Sequence, residues 1–289
     1  MNHLWRDIAL HIGQVLGRTF VVQEHRPVGG GSINSTYVLT GEEHTYFVKL
    51  NQAQYLPAFT AEVLGLNYIA QTATIRVPQP LCTGTTGDYS YLVMEWLPLN
   101  GRGDWAELGR QLARLHQQGR SDQFGWFENN TIGSTPQLNS WTADWCTFFS
   151  QQRIAYQFQL AKRRGGHFPR GQELLQSIPR LLSEHQPFPS LVHGDLWSGN
   201  AGFTASGEPV IFDPAAYFGD REVDLAMTEL FGGFPPQFYQ GYEEIFPLNV
   251  GYQKRKILYN LYHILNHFNL FGSSYAAQAN RMIEQILRA

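Results

Sequence analysis

Apolar residues change their repeat along this chain, and the changes predict its elements. Leu4, Ile8, Ile12 and Val15 recur at helical spacing, which predicts an amphipathic first helix. From Val21 to Leu50 the repeat shortens to that of strands: Val21-Val22, Tyr37-Val38-Leu39 and Tyr46-Phe47-Val48-Lys49, with turns at Gly29-Gly30-Gly31 and Thr40-Gly41-Glu42-Glu43. A helix follows over Phe59 to Gln71, and Tyr91 to Pro98 reads as an apolar strand stopped by a proline. Beyond it the pattern is mostly helical. Asp104 and Glu107 form a D-x-x-E cap ahead of Leu108, Leu112 and Leu115, and Gly119 closes that helix. Ser140 is placed to cap a long helix through Trp141, Trp145, Phe148, Phe149 and Ile154, with Lys162-Arg163-Arg164 suiting the negative end of its dipole. Pro169 to Pro189 reads as a helix and connector, and from Val223 the chain is helical apart from a break near Gly232 to Pro236. One hairpin interrupts this lobe: strands Ala201 to Thr204 and Pro209 to Phe212, joined by Ala205-Ser206-Gly207-Glu208.

The expected architecture is α+β and bilobal: a small β-rich N-terminal lobe over 1–96 and a larger, mostly helical lobe over 97–289. Composition narrows the function. The 289 residues carry a net charge of −3, which gives no basic footprint for nucleic acid. Cys82 and Cys146 match no zinc or redox spacing and point to a reducing compartment. The first helix carries Arg6 and Asp7, unlike a signal peptide, and no apolar run reaches the roughly 20 residues needed to cross a bilayer. A cytoplasmic monomer without membrane or nucleic-acid partners is the expectation.

The chemistry is carried by His193-Gly194-Asp195-Leu196-Trp197-Ser198-Gly199-Asn200 and, across the hairpin, Asp213. Phosphoryl transfer needs a carboxylate to accept the incoming hydroxyl's proton and oxygen ligands to hold magnesium on the phosphates. At kinase spacing, Asp195 fits the base and Asn200 and Asp213 the metal ligands, returned side by side by the hairpin. Upstream lie the other parts in matching order. The glycine turn Gly29-Gly30-Gly31 with Ser32 can lay backbone N–H groups over phosphates. Lys49, on a strand, and Glu62, on the next helix, fit the pair that orients ATP phosphates, and Met94-Glu95-Trp96-Leu97 fits a hinge offering backbone groups to adenine. This is the order of a protein-kinase-like fold using ATP and Mg2+. No long activation loop follows Asp213, which argues against a protein kinase.

These motifs, over nearly the whole chain, resemble the fructosamine kinase (ketosamine-3-kinase) family within the wider aminoglycoside phosphotransferase and choline kinase group. The marks are Gly29-Gly30-Gly31-Ser32-Ile33, Phe59-x-x-Glu62, His193 to Asn200 with Trp197, and Phe212-Asp213-Pro214-Ala215. Gly219 to Met227 and the run from Leu261 to Gly272 complete them. The resemblance implies ATP-dependent phosphorylation of the sugar 3-hydroxyl of a free or protein-bound ketosamine, a deglycation-type repair. Several relatives carry a cysteine in the glycine-rich loop, proposed to form a redox-switched dimer. Ser32 stands there in this chain, so that control is not expected. Asp224 is expected to brace the catalytic loop through its backbone, and Asp220 and Arg221 are read the same way. Asn130, Gln137, Asn139, Trp141, Arg153, Trp197, His263 and His267 are polar or aromatic groups able to line a sugar-amine pocket. His263 and His267 also have i, i+4 spacing for zinc, but their helix is otherwise a packing helix without a nearby carboxylate. An aminoglycoside- or choline-type kinase stays open as an alternative, although the acceptor region is aromatic and amide-rich rather than acidic. So does a nucleotide-binding pseudokinase scaffold, which would have no chemical need to keep Lys49, Glu62, Asp195, Asn200 and Asp213 together.

Overall fold

The computed structural model describes residues 3–29 and 33–288. The chain divides into two compact units, Met1–Gly103 with Gly202–Phe212, and Asp104–Ala201 with Asp213–Ala289. The boundary expected after residue 96 therefore differs in grouping 97–103 and the hairpin with the helical lobe. The physical reason is close packing within the first unit. Gly101 N–H donates to the Phe203 carbonyl at 3.1 Å, and Ile211 N–H donates to the Arg76 carbonyl at 3.1 Å. A Cβ on Gly101 would stand 1.8 Å from the Thr204 carbonyl oxygen, and one on Gly103 2.0 Å from the Phe203 ring. Only glycine admits that approach.

In the first unit, helix α1 (His3–Leu16) is followed by strands β1 (Glu24–Pro27), β2 (Ser35–Thr40) and β3 (Thr45–Gln52). Helix α2 (Leu56–Gln71) and strands β4 (Pro80–Thr86) and β5 (Tyr89–Glu95) complete it, apart from the later hairpin. The sheet runs β1-β2-β3-β5-β4 with antiparallel pairing throughout. α1 buries Trp5, Ile8, Ala9 and Ile12 against Leu39, Val48, Leu50, Tyr91 and Val93. Val15, expected on the same stripe, is exposed instead. Val21-Val22 is no strand: Val22 joins the core, Val21 faces outward, and pairing begins at Glu24. β1 is exposed along its length and β4 is built from small and polar residues. Both lie at sheet edges, where no alternation of apolar residues is required.

The second unit opens with α3 (Trp105–Gln118), where Asp104 Oδ1 accepts from Ala106 N–H at 2.8 Å and Gly119 N–H closes onto Leu115 at 2.8 Å. Strands β6 (Asn130–Ile132) and β7 (Thr135–Gln137) form a small hairpin. The long helix expected from Ser140 starts later. Asp144 Oδ2 caps α4 (Trp145–Phe148) by accepting from Thr147 N–H at 2.6 Å, which leaves Trp141 outside it. A wide π turn, Phe149–Ala155, carries α4 into α5 (Tyr156–Arg163). Then come α6 (Gly171–Leu181) and β8 (Ser190–Val192), followed in chain order by the hairpin strands β9 (Ala201–Phe203) and β10 (Pro209–Ile211), which from Gly202 on belong to the first unit. Last are β11 (Tyr217–Gly219), α7 (Glu222–Leu230), α8 (Pro236–Ile245), α9 (Tyr252–Phe271) and α10 (Ala276–Arg288). α3 and α8 cross closely at glycines: a Cβ on Gly109 would meet the Phe238 carbonyl at 2.0 Å, and one on Gly241 the Ala106 carbonyl at 2.0 Å.

Candidate active site

The catalytic loop hangs from β8, which is fully buried and pairs antiparallel with β11. Gly194 has φ +81°, and a Cβ there would lie 2.2 Å from the Ala215 carbonyl oxygen, so both conformation and space require glycine. His193 accepts at its carbonyl from Ala215 N–H at 2.9 Å, which ties the loop to the segment after Asp213. Asp224, in the first turn of α7, accepts from His193 N–H at 2.7 Å and Gly194 N–H at 2.8 Å, so it does brace the loop through its backbone. His116 Nε2 lies 3.1 Å from the same carboxylate. Burial alone would raise the Asp224 carboxyl. The His116 hydrogen bond, the His116 and His193 rings and the Gly194 N–H outweigh it and hold the group below the ordinary carboxylate value.

Asp195 has the opposite environment. Asn200 Nδ2 donates to its carbonyl at 2.9 Å and more weakly to Oδ2 at 3.4 Å. Burial, then the negative charges of Asp213 and Asp224, push the Asp195 carboxyl up to about 7. Asp213 itself adopts φ +58°, a left-handed conformation that Asp tolerates better than most side chains. Asn200 and Asp213 flank the β9–β10 hairpin in sequence. The Asn200 amide nitrogen is already spent on Asp195, which leaves its Oδ1 for a ligand. Magnesium prefers oxygen ligands, so Asn200 Oδ1 and the Asp213 carboxylate would suit it, beside an Asp195 carboxyl raised first by burial and then by the charges of Asp213 and Asp224.

In the first unit, Lys49 Nζ pairs with Glu62 Oε1 at 2.7 Å, with Lys49 buried in the middle of the sheet. Gly29 is described, whereas Gly30, Gly31 and Ser32 lie outside the described residues. At the end of β5 Met94 is buried, and Glu95 forms an ion pair with Arg76 while accepting from Gln79 N–H at 3.2 Å. The Trp96 ring stacks on Phe47 at 6.1 Å. Among the described residues, no loop or turn backbone–backbone hydrogen bond engages Trp96, Leu97 or Pro98, whereas Glu95 N–H donates to the Gln79 carbonyl at 2.8 Å.

The fructosamine kinase model matches residues 4–289. The chain belongs to the fructosamine kinase family. It is 57% identical to a probable ketoamine kinase of Synechocystis sp., over 98% of this chain and 97% of that protein. It is 42% identical to the chloroplastic protein-ribulosamine 3-kinase of Arabidopsis thaliana, over 94% of this chain and 85% of that protein. A crystal structure from Haemophilus somnus, named provisionally as a fructosamine-3-kinase, superposes with a TM-score of 0.92 at 33% identity, covering 98% of this chain and 97% of that one. The fold alone is shared with a choline kinase of Streptococcus pneumoniae, at a TM-score of 0.64 and 13% identity, over 99% of each chain. The fold is thus kinase-like, and the chain is a phosphotransferase.

Within this family member the residues expected to line a sugar pocket separate into groups. Trp197 is 36% exposed, with its ring over Gly199, where a Cβ would lie 2.3 Å away. Trp141 is also exposed, stacked on Phe218 and edge-on to Phe127. By contrast, Asn130, Gln137, Asn139 and Arg153 are buried and hydrogen-bonded to one another and to backbone carbonyls inside the unit, with Arg153 Nε left without a hydrogen-bond partner among the described residues. Arg153 stacks on Phe148 and Tyr217. His263 is buried, and desolvation, with the charges of His267 and Arg153, lowers it to about 3 against a smaller opposing effect of Asp224. His267 Nδ1 is 2.8 Å from the His263 carbonyl, a contact within one helical turn rather than a shared metal geometry. Asp220 and Arg221 are held by partners outside the catalytic loop. Asp220 binds His185 Nε2 and Tyr259 Oη, both at 2.6 Å, and Arg221 donates to the Phe246 carbonyl at 2.9 Å. His185, Asp220 and Glu222 are close enough to hold a metal, but Arg255 grips both Glu222 oxygens at 2.7 Å, so the protein itself completes that cluster.

The residues missed in sequence are on α9. Tyr252, Arg255, Tyr259, Tyr262, Asn266 and Asn269 alternate at three- and four-residue steps and make one polar stripe. Their partners are Glu229, Glu222, Asp220 and Gln137 in turn, with Gln157 shared by Asn266 and Asn269, and all but the half-buried Glu229 are buried. That spacing was the available signal. Among the described residues no helix is long and apolar enough to cross a membrane.

Proposed function

We propose that this chain transfers the γ-phosphoryl group of ATP to the 3-hydroxyl of the sugar in a ketosamine, a fructosamine or ribulosamine on a free or protein-bound amine. The observation that carries this reading is the contrast between Asp224, which from α7 accepts two loop N–H groups, and Asp195 on the loop itself, which receives a weak Asn200 contact at 3.4 Å and whose carboxyl is pushed up to about 7. A carboxylate that receives only such a weak protein contact is suited to accept a substrate proton. Asp195 takes the proton of the sugar hydroxyl as its oxygen forms a bond to the γ-phosphorus. The bond from that phosphorus to the β,γ-bridging oxygen breaks, and ADP leaves. Asn200 and Asp213 hold magnesium, which when bound neutralises charge on the phosphates. Lys49, fixed by Glu62, orients the phosphates, Gly29 to Ser32 cover them, and Met94 to Leu97 receive the adenine. The segment 1–96 is read as the nucleotide side and 97–289 as the catalytic and acceptor side.

Trp197, two residues after Asp195, offers a flat face to the sugar's apolar side. By analogy with the family, the 3-phosphate makes the adduct labile and releases the amine. The free thiols Cys82 and Cys146, both raised by burial, suit a reducing compartment such as the cytoplasm. The test is ATP-dependent phosphorylation of a panel holding ribulosyl-lysine, fructosyl-lysine, choline and an aminoglycoside. Transfer to the ketosamines supports the reading. Transfer to choline or the aminoglycoside alone overturns it.

A further inference from the structure

We propose that Tyr262, Gln137 and Asn130 are positioning residues that set the metal-binding carboxylate Asp213 through the carbonyls just after it. This rests on the reading of Asp213 as a magnesium ligand. The connection is continuous. Tyr262 Oη donates to Gln137 Oε1 at 2.7 Å, and Gln137 Nε2 donates to the Ala215 carbonyl at 3.0 Å and to Asn130 Oδ1 at 2.9 Å. Asn130 Nδ2 donates in turn to the Ala216 carbonyl at 2.9 Å. Ala215 N–H reaches the His193 carbonyl at 2.9 Å, so the clamped segment also touches the catalytic loop.

The orientation of every amide in this network is determined. Arg153, which can only donate, gives Nη2 to Asn139 Oδ1 at 2.9 Å, and that forces the Asn139 amide nitrogen toward Asn130 Oδ1 at 2.8 Å. Asn130 Oδ1 then accepts twice, and its nitrogen must face Ala216. At the other end the Tyr262 hydroxyl fixes Gln137 Oε1, which turns both Gln137 N–H donors toward Ala215 and Asn130. Gln137 is 1% exposed and Tyr262 3%, so water is not at hand to replace a lost partner. A core held only by apolar packing has no need to grip two successive carbonyls. Here the grip falls two and three residues after Asp213, whose backbone sits at φ +58° and gains from being held there.

The test is calorimetric binding of ATP with and without magnesium to the wild type, Tyr262→Phe, Gln137→Leu and Asn269→Ala. Asn269 is equally buried on α9 but donates to Gln157 instead, at 2.7 Å to the side chain and 3.0 Å to the carbonyl, and so controls for general loosening. Partners behind metal ligands change metal affinity by about 10- to 100-fold, and these act through the backbone, so a loss of about 10-fold is expected. That loss should fall on the magnesium-supported part of ATP affinity in Tyr262→Phe and Gln137→Leu. Magnesium-free binding should stay unchanged in both, and Asn269→Ala should keep the full magnesium response. Wild-type response in both Tyr262→Phe and Gln137→Leu overturns the positioning role. So does an equal loss in Asn269→Ala. Wild-type ATP binding that ignores magnesium overturns the metal reading itself, and this one with it. If Gln137→Leu fails to fold, Tyr262→Phe, which removes one oxygen, decides alone.

Discussion

Asp195, half-buried on the catalytic loop, and Asp224, fully buried in α7, are two carboxylates that the fold treats differently. Asp224 receives two backbone N–H groups and lies beside the His116 ring, and these hold it below the ordinary carboxylate value against the cost of burial. Asp195 receives one weak amide contact at 3.4 Å and faces the charges of Asp213 and Asp224, and it is pushed up to about 7. A carboxylate that supports structure is completed by the protein. One that does chemistry is left for a cation and a substrate to complete, at some cost in stability.

The comparison breaks most sharply at turnover. Asp195→Asn removes the proton acceptor and nothing that holds the nucleotide, so kcat should fall by about 10²- to 10⁴-fold with ATP affinity little changed. Steady-state rates and ATP titration check this, and near-normal turnover would sink the assignment of the base. Asp224→Asn attacks the other side. Breaking a buried, hydrogen-bonded charge costs about 3–5 kcal/mol, which denaturant unfolding at neutral pH should show. Because the folded-state value of Asp224 is depressed, its stabilisation is present above the unfolded carboxylate value of about 4 and is lost as pH falls through the folded one. The stability gap between wild type and Asp224→Asn should therefore be wide at pH 7 and narrow below about pH 4. A gap constant with pH would contradict the assigned charge state. The smallest effect is expected at Trp197→Ala, where loss of an aromatic face worth about 1 kcal/mol should raise KM for a ketosamine several-fold and leave KM for ATP unchanged.

What could be read in the sequence follows from how local each feature is. Asp195 lies near both Asn200 and Asp213 through one loop and one hairpin, so the spacing of the proposed site was readable. Lys49 and Glu62 pair across a strand and the next helix, and their 2.7 Å contact was equally readable. The edge strands β1 and β4 were not, since neither needs alternating apolar residues. Gln137, Asn130 and Arg153 were read as pocket groups because residue type alone does not say whether an amide faces a ligand or a buried carbonyl. Asn130 and Gln137 find partners in Ala215, Ala216 and Tyr262, more than 75 residues away along the chain. The start of α4 was misplaced because Ser140 and Asp144 are both competent caps, and only tertiary packing selects Asp144. α9 hid its polar stripe among Leu261, Ile264, Leu265 and Phe268, which pack the rest of its surface.

The contrast between the two carboxylates is tested most directly by the thermal unfolding of Asp195→Asn, free of metal and nucleotide, at neutral pH. The raised Asp195 carboxyl contributes instability that grows as pH climbs from the unfolded carboxylate value toward 7 and is complete above it. Replacing it with a neutral amide removes that penalty. The variant should melt at the same temperature as the wild type or above it, while Asp224→Asn melts well below. A fall in Asp195→Asn as large as that of Asp224→Asn would show that the fold depends on both carboxylates alike, and would contradict the account.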